Sequence, residues 1–99
     1  MKNTEMARIA SDLIAAANIP EDISIRVFIG SGNRISMKTF VQHLVDYPYR
    51  STKGGVTTIV SNPHYEFCER SFGSGDIWGI LGEDAIRQRI TSYISKVVS

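Results

Sequence analysis

The chain predicts an α+β fold, a two-layer sandwich in which a mainly antiparallel sheet is covered by amphipathic helices. Three observations carry that prediction. Apolar residues recur at helical spacing near both ends, and they alternate with a period of two between them. A glycine phrase, Phe28-Ile29-Gly30-Ser31-Gly32-Asn33, returns as Phe72-Gly73-Ser74-Gly75-Asp76, each time closing an alternating run. Residues 1–99 are expected to form a single globular domain, because 99 residues that are 42% hydrophobic can bury one core and leave no room for a second.

Met6, Ile9, Ala10, Leu13, Ile14 and Ala17 share one face of a helix near 4–17. Asn3 or Thr4 can cap it, Glu5 complements the positive end of its dipole, and Asn18 before Pro20 supplies a left-handed stop. Ile23, Ile25, Val27 and Ile29 then alternate with Ser24, Arg26 and Phe28, a half-buried strand near 23–29. After the first glycine phrase, Arg34 and Ile35 are briefly extended. Ser36 offers an N-cap to a helix near 36–46 that carries Met37, Phe40, Val41, Leu44 and Val45 and ends before Pro48.

Tyr49 to Gly55 reads as a polar bridge into a β-branched strand near 56–61. Asn62-Pro63 marks a turn, and the strand near 64–72 places Tyr65 and Phe67 on one face with His64, Glu66, Cys68 and Arg70 on the other. A further strand, 76–81, carries Gly79 in its middle, where glycine weakens a strand or marks a bulge. Glu83 and Asp84 then open a helix near 83–98 with the stripe Ile86, Ile90, Tyr93, Ile94 and Val97.

Composition removes several function classes. A net charge of +1 provides no global field for nucleic acid, so electrostatic recognition has to be local. The one basic bias lies in residues 34–55, where Arg34, Lys38, Arg50 and Lys53 face only Asp46. The longest apolar run, Leu13 to Ala17, is far short of a membrane span, and the first residues lack the apolar core of a secretory signal. A cytoplasmic protein is expected. Cys68, the only cysteine, has no partner for an intrachain disulfide or a paired-cysteine metal site.

The candidate sites follow from the same residues. Neither glycine phrase matches a nucleotide-binding fingerprint, and no lysine of the phosphate-loop kind follows, so both read as hairpin turns. His64, Glu66 and Cys68 suggest a nucleophile with a base, but four strand residues separate His64 from Cys68 by roughly 13 Å. No catalytic residue is assigned. His43, His64, Glu66 and Cys68 lack short ligand spacing, so no metal and no cofactor is expected.

Tyr47, Tyr49, Arg50 and Lys53 interleave aromatic rings with cations, and Trp78 stands among Gly73, Gly75, Gly79 and Gly82. These five, Tyr47, Tyr49, Arg50, Lys53 and Trp78, are the candidate partner-binding residues, since tyrosine, arginine and tryptophan carry binding energy at protein interfaces. The expectation is a small non-enzymatic binding protein that occupies the surface of a larger protein, as inhibitors, immunity factors and adaptors do, including those that phages and plasmids encode. The alternative is a nucleic-acid accessory protein using Arg34, Lys38, Arg50 and Lys53. A small enzyme using Cys68 or His64 is a second alternative. An open sheet face or edge would also permit a homodimer.

Overall fold

The computed structural model describes residues 1–99. The period-two run forms strand β1, Ile23–Gly30, whose aliphatic residues Ile23, Ile25 and Val27 pack against the core. Gly32 and Asn33, with φ of 69° and 51°, turn the chain tightly into strand β2, Arg34–Asp46. The two strands are antiparallel, from Gly30 opposite Arg34 to Ile23 opposite Val41. The first glycine phrase is therefore a hairpin turn.

Strand β2 replaces the helix expected near 36–46. The spacing of Met37, Phe40, Val41, Leu44 and Val45 fits a helix, but Ile35, Met37 and Thr39 alternate with a period of two and are all buried. Pairing along the whole of β1 selects the strand, helped by the β-branched Ile35, Thr39, Val41 and Val45. No local signal could outweigh that long-range ladder.

From Asp46 the chain passes through Tyr47 and Pro48 into strand β3, Tyr49–Lys53, and turns at Gly54 and Gly55 into strand β4, Val56–Val60. The two glycines, with φ of 57° and 79°, form the two-residue turn that matches strand twist. The stretch expected as a polar bridge is thus a strand and a hairpin tip. Ser61 and Asn62 lead on to strand β5, Pro63–Arg70, which pairs antiparallel with β2.

The register runs unbroken from Thr39 opposite Arg70, through Asp46 opposite Pro63, to Lys53 opposite Val56. Tyr47 N donates to Asn62 O at 3.1 Å across the joint, so Asn62-Pro63 joins two strands in line and reverses nothing. Asp46 holds that joint. Its carboxylate accepts from Asn62 N at 2.7 Å and from Ser61 Oγ at 2.9 Å.

Beyond β5, the short strand β6, Asp76–Trp78, pairs with β2 at Arg34 to Ser36. It uses the same edge of β2 as β5 does, so residues 71–75 are a bulge opposite Met37 and Lys38, where the sequence suggested a second hairpin turn. Met37 N donates to Gly75 O at 2.9 Å, an approach so close that a Cβ at Gly75 would overlap the Met37 carbonyl. Strand β6 stops at Trp78, short of the expected residue 81.

Helices α1, Asn3–Ala16, and α2, Glu83–Val98, agree with the sequence periodicity. Asn3 donates its side-chain amide to Gly30 O at 3.2 Å and does not cap α1, which ends in extended backbone at Ala17 with no left-handed stop. Both helices cover one face of the sheet. Met6, Ile9 and Ala10 meet Ile86, Ile90, Tyr93, Ile94 and Val97 over Ile35, Met37 and Ile77. The buried Thr39 hydroxyl shares a 2.9 Å hydrogen bond with the Tyr93 hydroxyl, which satisfies both.

These parts form a head and an arm. The head holds the helices, β1, β6 and the near half of β2, while the arm is the two-stranded ribbon from Gln42 to Phe67. The molecule measures 69 × 28 × 20 Å, with a radius of gyration of 19.5 Å. A compact domain of this length would have about 13 Å.

Candidate protein-docking surface

Alternation along β2 sends odd-numbered side chains toward the helices and even-numbered ones to the opposite face. In the head that opposite face has no second layer. It carries Trp78 beside Arg34, Phe28 beside Ser36, Arg26 beside Lys38, and Phe40 beside Glu69. Each cation there lies over a ring: Arg26 at 4.3 Å from the Phe40 centroid, Arg34 at 5.2 Å from Trp78, and Lys38 at 5.4 Å from Phe28. Arg34 also stands 3.9 Å from Asp76, a partly exposed pair that contributes little stability.

The arm has neither helix cover nor a neighbouring strand. Strand β1 ends opposite Val41, and Gln42 N makes the last bond on that side, to Asp22 O at 2.8 Å. On the arm's open-sheet face, Leu44 pairs with Tyr65 and Arg50 with Ile59, leaving Leu44 62%, Tyr65 69% and Ile59 75% exposed. Phe67 continues this apolar strip back to the head. On the helix-side face the exposed rings of Tyr47 and Tyr49 and the side chain of Val56 extend the same character to the tip. The ribbon therefore carries exposed apolar side chains on both faces.

Its edges are less suited to pairing. The bond from Gln42 N fixes which amides of the β2–β3 line point outward, and Pro48 occupies such a position, as Pro63 does on the other edge. Proline withholds the donor an added strand would need at that position.

Polar groups on the arm are mostly committed. Tyr47 donates its hydroxyl to both Glu66 oxygens, at 2.8 and 2.9 Å, with its ring 6.0 Å from that of His64. That hydrogen bond is the main reason the Tyr47 phenol titrates above its ordinary value, with desolvation and the Glu66 charge adding to it. Arg50 and Lys53 form a basic tip. Glu21 and Asp22 form an acidic pair at the base, where Asp22 meets Gln42.

Tyr47, Tyr49, Arg50 and Lys53 therefore share one element, but Trp78 does not join them. Trp78 stands opposite Arg34, fifteen residues along the strand line from Tyr49, roughly 50 Å away. Arg34 and Lys38 are likewise on the head and Arg50 and Lys53 on the arm, so the four cations form two clusters and no single patch. Cys68 stands opposite Val41 and His64 opposite Val45, two rows apart on the helix-side face. No three of the His, Cys, Asp and Glu side chains converge as metal ligands would.

Phe28, Leu44, Ile59, Tyr65, Phe67 and Arg26 are exposed, and Phe40 half-buried, on this surface, and none of them stands out in the sequence as a site residue. Reading 34–46 as a strand would have placed Phe40 and Leu44 opposite Ile35 and Met37, and so outside the core. No helix is long and apolar enough to cross a membrane. No family model matches the chain, and no curated protein or solved structure matches it.

Proposed function

We propose that the protein is a non-enzymatic binding module, of inhibitor, immunity or adaptor type, that lays its β arm on a larger protein and acts by occupying that surface. The arm, with exposed apolar side chains on both faces and clear of its own head, carries this reading. A two-stranded ribbon is marginal in water by itself, and exposed apolar strips of this extent characterise protein interfaces. Tyr47, Tyr49 and Tyr65 provide broad, rigid contact area, the Tyr47 hydroxyl already held by Glu66.

Changing Tyr49, Ile59 and Tyr65 together to serine removes that area without touching the head. With an unchanged thermal midpoint, capture of the partner from the native host should be lost. Undiminished capture would contradict the assignment.

A second reading is favoured by the three cation-ring pairs on the head, because single-stranded nucleic-acid binders combine stacking rings with cations in this way. It predicts oligonucleotide binding whose logarithm falls linearly with log salt and is lost in Trp78→Ala with Phe28→Ala. No retention on single-stranded DNA or RNA at low salt would remove it.

A further inference from the structure

We infer that a second copy of this chain packs across the arm, the two ribbons lying antiparallel about a two-fold axis near the Tyr47–Asn62 row. The contact surface is the open-sheet face that carries Leu44, Tyr65 and Ile59. This inference rests on the arm being a protein-docking element and names one protein it docks.

Surface area is the first support. The chain exposes 6769 Å², whereas a compact chain of its 11.0 kDa would expose about 5,600 Å². The excess of about 1,200 Å² is surface left open by the extended shape, and an interface of standard size, roughly 800 Å² per partner, fits within it.

The second support is the order of rows along the arm. Its register is unbroken, so faces can be followed from base to tip. Turning one arm end for end about the Tyr47 row brings the Leu44–Tyr65 row of one copy over the Arg50–Ile59 row of the other. Ile59 then packs on the Tyr65 ring, and the aliphatic stem of Arg50 covers Leu44. Two-fold symmetry makes each contact twice, as an isologous interface requires.

Charge selects the antiparallel sense. The same inversion carries the tip, with Arg50 and Lys53, to the partner's base, where Glu21 and Asp22 are exposed. Arms packed in the same direction would set the Arg50 and Lys53 of one tip beside those of the other and the two Glu21–Asp22 pairs together. Like charges in that arrangement are repulsive, and they oppose the parallel dimer.

Sedimentation of the full chain over a concentration series at low salt tests the inference. A mass of two chains is expected at the upper end. Arg50→Glu with Lys53→Glu should weaken dimerisation by at least about tenfold, and adding Glu21→Lys with Asp22→Lys should restore it. All four positions are exposed, so circular dichroism and thermal midpoint should stay unchanged. A single-chain mass throughout, a dimer indifferent to the charge reversal, or a reversal that the second pair fails to rescue would overturn the dimer. A single-chain wild type that still captures a larger protein through Tyr49, Ile59 and Tyr65 overturns the dimer and leaves the docking function standing. A rescued dimer that captures nothing else supports the dimer and removes the larger partner.

Discussion

Head and arm share one strand, β2, yet its two halves live in different surroundings. In the near half, Ile35, Met37 and Thr39 lie under two helices and are fully or nearly fully buried. In the far half, His43 and Val45 continue the same face with no helix above them, while Leu44 lies bare on the other. The difference is one of cover, since the alternation of faces along β2 continues through both halves. The near half is spent on holding the fold together, and the far half presents apolar surface that the chain itself does not cover.

The sharpest way to break this comparison is to truncate one isoleucine in each region. Ile90→Ala empties a site with no solvent exposure, and it should cost about 2–5 kcal/mol of unfolding free energy. Ile59→Ala removes an exposed side chain and should stay within about 0.5 kcal/mol. Urea unfolding of both variants measures the contrast. Equal losses would mean that the arm is part of the cooperative core.

A smaller effect is expected where head joins arm. Gly75→Ala drives a Cβ into the Met37 carbonyl, and relieving that overlap should cost about 1–3 kcal/mol and loosen the bulge. Amide exchange at Met37, whose N–H bonds Gly75 O, should rise more than amide exchange at Ile90. A uniform rise would show that the bulge is not a local feature.

The smallest expected effect is a titration on the arm. The neutral Tyr47 phenol donates to the Glu66 carboxylate, so its value in the fold lies above the ordinary 10.0. The raised value sets the sign: this contact favours the folded arm below the unfolded value and is lost as pH rises through the folded one. Tyrosinate absorbance should show one tyrosine titrating late, and Glu66→Gln should return it toward 10.0. The head should be indifferent to that substitution.

Much of the head was legible in the sequence because its signals are local. The stripes of Ile86, Ile90, Tyr93, Ile94 and Val97 and of Met6, Ile9 and Ala10 fit only one period, and those helices lie where the periodicity placed them. Residues 34–46 fit two periods at once, and the decision came from pairing with β1, which single-sequence reasoning does not contain. The second glycine phrase resembled the first in composition, but Gly75 serves a close backbone approach within a bulge and makes no turn.

The candidate site divides in the same way. Tyr47, Tyr49, Arg50 and Lys53 stood out because aromatic and basic residues flank Pro48 without helical spacing, and the fold keeps them on one element. Trp78 stood out equally and lies at the other end of the molecule, a separation that follows only from the length of β2. Leu44, Tyr65 and Ile59 carried no signal at all. An apolar residue in an alternating run is exposed only if nothing packs on it, and that depends on where the helices stop.

Shortening the arm separates folding from docking. Replacing residues 48–61 by Asn-Gly joins Tyr47 to Asn62, a hydrogen-bonded pair that a two-residue turn can close. If head and arm divide folding from docking as described, this shortened chain unfolds at a thermal midpoint close to that of the full chain and loses both self-association and partner capture. A shortened chain that fails to fold, or one that still associates and captures as the full chain does, would contradict the account.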